Sequence, residues 1–410
     1  LKGLQGLCLE GKPLSANSKT KACNMYTNTR FGELMKGIPR GMFERLVKKH
    51  QADKHSKGFR CWDQFAAMLY GQVTGSRSLR DLELSFNSHE VHHYHLGART
   101  IRRSTLADAN NKRNVALYES LCLQLLHRAR GQVKSQVTNM LYLLDSTPIP
   151  LKGLGYDDWA ASGHRTPGLK VHMMLEGNQY VPTYTGITPS NINDIDDARQ
   201  MEIESGATYV FDKGYYDFNW WHRINQQQAI FVTRAKHNAA LKVVNTHSIE
   251  GCADHVLSDE AVCFKYRHPG GGRINQYRAA LRRVIVDRED HETPLVLLTN
   301  DFERSAEEIA ALYKQRWQIE LFFKWLKQNL KIKRFLGRSE NAVKTQIYIA
   351  IIAYVLLWLY RRAEGGGRSL TDCARLLASA AFQRPDSEYL IWKRRRKERE
   401  ELLALQRVLI

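Results

Sequence analysis

The chain has 410 residues, 43% hydrophobic and 25% charged, which excludes wholesale disorder and leaves room for two or three domains with cores of their own. Its 61 Lys and Arg outnumber 42 Asp and Glu, a formal net charge of +19, and such an excess favours a polyanionic partner, nucleic acid ahead of an anionic membrane surface. The seven cysteines are scattered and form no Cys-x2-Cys pair, which argues against a disulfide framework or structural zinc and suits a reducing cytoplasm.

Residues 1–24 show no periodicity, and their start, LKGLQGLCLEGK, is not a charged segment followed by a long apolar one. They contain four Lys and one Glu, so the basic excess survives without them. From Phe43 to about Arg113 the pattern is helical: FERLVKKH, then CWDQFAAMLYGQVTG, then SLRDLELSFNSH. The turn Gly75-Ser76-Arg77-Ser78, with Ser78 as the N-cap of the next helix, gives helix, short turn, helix. That arrangement fits a helix-turn-helix unit and a plain helical bundle equally. Arg99, Arg102, Arg103, Lys112 and Arg113 crowd the end of this region and suit phosphate contacts. The histidines His89, His92, His93 and His95 have only Glu90 beside them; a surface segment near nucleic acid is expected there rather than a metal site. Val115 to Leu126 reads as an amphipathic linker helix.

Beyond about Thr138 the chain alternates. NMLYLLDSTPIPL reads as a buried strand ending at Asp145; LKVHMMLE (169–176) and YVPTYTGIT (180–188) follow as strands around the turn Glu176-Gly177-Asn178. Ser190 to Ile203 reads as a capped helix. ATYVFDKGYYDFNWW repeats the first design, with apolar Tyr209, Val210 and Phe211 before Asp212 and a turn at Gly214. A helix through Trp220, Trp221 and Ile224 and a strand AIFVTRAK (229–236) complete the run. Residues 237–282 hold short Gly- and His-rich, strand-like pieces, including the turn Pro269-Gly270-Gly271-Gly272. AALRRVIVD and PLVLLTN give further strands, and Ser305 caps a helix. Alternation alone implies an α/β class. Asp157, Asp158 and Asp217 follow turns rather than apolar strands, and no Gly-x-Ser-x-Gly elbow surrounds Ser146.

The helical stretch Ala311 to Leu330, ALYKQRWQIELFFKWLKQNL, sets Tyr313, Arg316, Glu320 and Lys327 at spacings of 3, 4 and 7. On a 3.6-residue helix these return to nearly one angle, so the four form a stripe while Trp317, Ile319, Phe322, Phe323 and Leu326 face a core. An acid among Tyr, Arg and Lys on such a helix suits a site that holds a cation and a phosphate together. The apolar run Ile347 to Tyr360 is shorter than the roughly 20 residues a membrane span needs and reads as a buried core helix. RRAEGGGRSLTDCARLLASAAFQ offers one more helix after a Gly linker, and residues 363–410 form an atypical basic tail with a run from Lys393 to Lys397.

The spacing Tyr-x2-Arg-x3-Glu-x6-Lys resembles the signature of the DDE transposases of bacterial insertion sequences, in the subgroup named for its Tyr-Arg-Glu-Lys motif. The resemblance implies a ribonuclease-H-like catalytic core in which Asp145, Asp212 and Glu320 are catalytic and ligate Mg²⁺, with Mn²⁺ as a substitute. Three carboxylates suit a hard cation that takes oxygen ligands, and two such ions can serve an in-line displacement at phosphorus. It implies DNA contacts from Tyr313, Arg316 and Lys327, and secondary ones from Lys213, Lys170, Arg234, Lys236, Arg102 and Arg103. Met25 resembles the usual beginning of the group, so residues 1–24 are expected to be upstream read-through. The expected domains are a helical DNA-binding domain (25–113), a linker helix (114–137), the first part of the core (138–236), a β-rich insertion (237–282), the second part of the core (283–362) and the tail. The implied function is cutting at the ends of an insertion sequence and joining the 3′ hydroxyls to target DNA, by a homodimer in the cytoplasm associated with the nucleoid, with no membrane partner. A nuclease without strand transfer, or an inactive remnant that only binds DNA, remain alternatives.

Overall fold

The computed structural model describes residues 29–136, 140–151, 153, 155–160, 168–268, 272–288, 292–330, 332, 334–363, 367–385 and 394–402. Residues 1–24, the start at Met25, the expected opening at Thr138 and the turn at Pro269-Gly270-Gly271 lie outside them.

Helices fill the N-terminal part: α1 (Arg30–Met35), α2 (Arg40–Lys49), α3 (Cys61–Thr74), α4 (Leu79–Asn87), α5 (His93–Leu96), α6 (Arg103–Lys112) and α7 (Ala116–Lys134). The turn between α3 and α4 follows its sequence. Gly75 closes α3 in the left-handed region at φ 75°, which a glycine adopts without a Cβ penalty, and the Ser78 hydroxyl accepts from Asp81 N. Phe43, Trp62, Phe65, Phe86 and Tyr118 are buried among these helices. The histidine cluster belongs to this packing and is not a free surface segment. His93 is buried and stacks on Phe86 at 4.2 Å, while His89 and His92 pack on Phe382 at 4.5 and 5.3 Å. Only His95 is exposed among them.

The strands are β1 (Leu141–Pro150), β2 (Gly168–Glu176), β3 (Val181–Pro189), β4 (Thr208–Phe211), β5 (Ile230–Arg234), β6 (Leu241–Thr246), β7 (Val256–Phe264), β8 (Leu281–Val286) and β9 (Leu295–Thr299). They form one sheet in the order β3-β2-β1-β4-β5-β9-β8-β7-β6. β1, β4 and β5 run parallel, β2 pairs antiparallel with β1, and β9 returns antiparallel to β5. The strands of residues 237–282 therefore extend the main sheet as an antiparallel meander, because β9 takes the free edge of β5 and β8, β7 and β6 add in turn.

Between and after the strands lie α8 (Asp157–Ala160), α9 (Asp194–Ala198), α10 (Phe218–Gln226), α11 (Ala306–Gln315), α12 (Trp317–Asn329), α13 (Glu340–Ala363) and α14 (Leu370–Ala380). Two helices depart from expectation. α9 covers only five of the residues 190–203, because it offers little apolar surface beyond Ile195 and Ala198 and its Asp194 and Asp197 turn inward to polar partners. The striped helix is two helices joined at Arg316, where Arg316 N–H donates to Tyr313 O and Ile319 N–H to Arg316 O, three-residue bonds that tighten the turn. Ser305 caps α11 with Glu308 in a reciprocal capping box, as its position predicts. α13 is long and apolar enough to cross a membrane, but 89% of its most apolar window is buried inside the protein, against α1, α3, α6, α7, α14 and β3.

Candidate active site

The parallel ladder between β1 and β4 ends at the pair Leu144 and Phe211. The next residue on each strand is an acid, Asp145 and Asp212, so the two leave neighbouring strands side by side at roughly 5 Å strand spacing. Asp212 caps a one-turn 3₁₀ helix, Lys213–Tyr215, and its Oδ1 accepts from Gly214 N at 2.7 Å. Asp145 Oδ1 accepts from Ser146 N at 2.8 Å. Glu320, in the first turn of α12, completes the group, since α12 packs on β1.

Arg316 joins them. Its Nη1 lies 3.3 Å from Asp145 Oδ2 and its Nη2 2.6 Å from Glu320 Oε1. Burial pushes the Asp145 carboxyl up to about 7; the charges of Asp212 and Glu320 push the same way, against the Ser146 N–H and Arg316. Tyr313 lies beside Arg316, with the guanidinium carbon 5.8 Å from the ring, and burial raises its hydroxyl. Lys327 donates to the Thr147 hydroxyl. Alternation along β1 puts Thr147 on the face of Asp145, so Lys327 stands on the same side as the acids.

The three carboxylates offer oxygen donors alone, the set a hard divalent cation takes. Among the described residues no three of His, Cys, Asp and Glu already stand at coordinating distance, and Arg316 bridges Asp145 and Glu320. Asp145, Asp212 and Glu320 would hold the ion.

The remaining sequence-predicted residues divide. Lys213 is exposed directly after Asp212, and Arg234, at the end of β5, is close enough for its charge to act on Tyr313. Lys236 is exposed, its amine 4.7 Å from the centre of the Tyr216 ring. Arg102 and Arg103 are exposed at the start of α6, in the helical part. Lys170 sits elsewhere than expected: it pairs across the strands with Pro148, which puts it on the face opposite Asp145, and it is tied to Asp194 Oδ1 at 3.0 Å and Ile192 O at 2.8 Å.

Sequence reading missed Asp194. Its Oδ1 accepts from Ser146 Oγ at 2.7 Å and lies 3.7 Å from His172 Nδ1. Burial lowers the His172 imidazole to about 4, although Asp194 acts the other way. Nearby Asp197 is raised to about 6, by burial first. The density of acids in Asn193-Asp194-Ile195-Asp196-Asp197 directly after β3 was the available signal.

Comparisons with known proteins give the family. Residues 138–356, more than half the chain, match the family described as transposase DDE domain, and residues 26–99 match a domain of unknown function (DUF4372). A relative named as a transposase, y4zB of Sinorhizobium fredii, is 42% identical over 284 residues, 68% of this chain and 78% of its own. Another, named as the transposase for insertion sequence element IS5377 of Geobacillus stearothermophilus, is 30% identical over 62% of this chain and 64% of its own. Among solved structures, the piggyBac transposase synaptic complex with hairpin DNA aligns with 84% of this chain and 77% of its own, at 12% identity and a TM-score of 0.44. The chain belongs to the DDE transposases of bacterial insertion sequences.

Proposed function

We propose that this transposase cuts DNA at the ends of its insertion sequence and joins the freed 3′ hydroxyls to target DNA, on a ribonuclease-H-like core of the Tyr-Arg-Glu-Lys subgroup. The observation that carries this reading is the adjacency of Asp145 and Asp212 where their parallel ladder ends, with Glu320 linked to Asp145 through Arg316. The strand order β3-β2-β1-β4-β5, with β2 alone antiparallel to β1, supports the core assignment.

Two Mg²⁺ ions, when bound, supply activation of the attacking oxygen and stabilisation of the leaving one. Asp145, Asp212 and Glu320 would hold them, with Mn²⁺ as a substitute. Arg316 offers its planar fork to a phosphate beside the cut, a geometry a carboxylate and a phosphate share. Lys327 holds a second phosphate as a point charge, and Tyr313 orients the strand between them. The helical part, with Arg102 and Arg103, grips the terminal repeat. Two ends need two sites, so the working unit is a homodimer, in the cytoplasm on the nucleoid.

The test incubates purified protein and Mg²⁺ with linear DNA carrying the element's own ends. Nicking at the ends followed by joining is the expected result. Cutting without joining would make it a nuclease, and a mobility shift without cutting a DNA-binding remnant.

A further inference from the structure

One carboxylate outside the predicted triad touches the neighbours of both strand-end acids. Asp194 begins α9, and its Oδ1 receives the Ser146 hydroxyl at 2.7 Å and the Lys170 amine at 3.0 Å. Lys170 also donates to Ile192 O at 2.8 Å, which fixes the backbone leading into α9. His172, fully buried, turns Nδ1 toward Asp194 at 3.7 Å and makes no hydrogen bond through it, while its Nε2 is 2.8 Å from the Thr188 hydroxyl. On its other side Asp194 leans on the turn after Asp212. A Cβ on Gly214 would stand 3.0 Å from Asp194 Oδ2 and 2.9 Å from Asp212 Oδ1.

Ser146, bonded to Asp194, and Gly214, packed beside it, are the two residues whose backbone N–H groups hold the acids. Ser146 N–H donates to Asp145 and Gly214 N–H donates to Asp212. On β1, Ser146 faces the opposite side of the sheet from Asp145, so its hydroxyl is free to anchor there while its amide aims the acid. We infer that Asp194 is a positioning residue for the metal site, fixing the separation of the Asp145 and Asp212 carboxylates from behind through Ser146 and the Gly214 turn. It takes no substrate or cation itself; its charge is taken up by Lys170.

The inference rests on the proposed metal site, and its test reads metal binding without DNA or catalysis. Mn²⁺ binding to the full chain is followed by electron paramagnetic resonance, beside a mobility shift on end DNA. Partners that orient metal ligands typically carry about 10–100-fold in metal affinity, so Asp194→Ala should weaken Mn²⁺ by about that factor and leave the DNA shift unchanged. Asp194→Asn keeps an acceptor for Ser146 and should restore most of the affinity. Mn²⁺ binding by Asp194→Ala at wild-type strength overturns the inference, as does an Asp194→Asn variant no better than Asp194→Ala. If Asp194→Ala does not fold, Ser146→Ala deletes one hydroxyl of the link: weakened Mn²⁺ supports the inference and unchanged Mn²⁺ overturns it. Asp212→Asn separates the two failures. If it binds Mn²⁺ like the wild type, the metal site itself is misplaced; if it loses Mn²⁺ while Asp194→Ala and Ser146→Ala do not, only the role of Asp194 falls.

Discussion

Arg316 bridges Asp145 and Glu320, with one guanidinium nitrogen 3.3 Å from Asp145 Oδ2 and the other 2.6 Å from Glu320 Oε1. This cation stands between carboxylates of like charge that would otherwise repel. Asp145 and Arg316 are each only 18% exposed at the side chain, so removing one partner leaves a poorly solvated charge. Arg316→Ala is expected to lower stability at pH 8 by on the order of 2–4 kcal/mol, and by less at pH 5, where Asp145 is protonated. Added Mn²⁺ should raise the melting temperature of the variant more than that of the wild type, since the ion replaces the lost charge. Melts at both pH values with and without Mn²⁺ decide it; equal losses at pH 5 and pH 8 would show that the bridge does not compensate the acids.

The raised Asp145 carboxyl makes a second prediction, about pH. Its folded value is about 7 against an ordinary 3.8, with burial the main cause. The folded state therefore binds the proton more tightly, and the stabilisation is full below pH 4 and lost as pH rises through about 7. The slope is at most about 1.4 kcal/mol per pH unit. Glu204 has the opposite sign. Burial pushes it up, but hydrogen bonds from Lys134, Tyr142 and Arg130 outweigh this and hold it at about 2. Its contribution is present above about 4.5 and disappears as pH falls through about 2, so the two windows meet only near pH 4 and, of these two groups, the fall above pH 5 belongs to Asp145 alone. Urea midpoints of the metal-free protein should fall between pH 5 and pH 8, and Asp145→Asn should flatten that fall while abolishing cleavage. The same proton competes with the cation, so Mn²⁺ affinity should climb up to about pH 7 and level off above it.

Gly214 gives a third. Its φ is not in the left-handed region, so alanine there meets no backbone penalty, yet the added Cβ crowds the carboxylates of both Asp212 and Asp194 below 3.1 Å. Gly214→Ala is expected to change stability by about 1 kcal/mol or less, as surface-side substitutions do, while end cleavage falls about 10-fold or more through the displaced acid. Cleavage at the wild-type rate would mean that the Asp212 carboxylate does not need its place beside Gly214.

What the sequence carried and what it hid divide along a physical line. The strand-end places of Asp145 and Asp212 were legible because each follows an apolar run, and the shared face of Arg316 and Glu320 because helical spacing is a local property; the roles given them came from the resemblance. The parallel rungs that bring Asp145 beside Asp212 follow from β4 pairing with β1, which strand alternation suggests but does not fix. Lys170 looked like a DNA contact because only the register, Lys170 against Pro148, reveals that it points away from Asp145. The Ser146–Asp194 bond and the stacking of His89 and His92 on Phe382 join segments far apart in the chain, and no periodicity announces them. The break at Arg316 has neither Pro nor Gly to mark it.

The helical part and the sheet share α13, and this predicts how the molecule unfolds. Its buried side chains meet α3, α6 and α7 of the helical part and β3 of the sheet, while Asn341 Nδ2 donates to Asn110 O at 2.8 Å and Tyr348 OH to Glu119 at 3.0 Å. A helix this apolar cannot stay in water when one side is uncovered, so neither half is expected to persist without the other. Ile352, fully buried near the middle of α13, is the probe. Ile352→Ala should cost roughly 2–5 kcal/mol, and denaturant curves followed at Trp62 in the helical part and at Trp221 beside the sheet should move together by the same amount. Two separated transitions, or a shift seen at one tryptophan only, would show that the halves are independently stable and that α13 belongs to one of them.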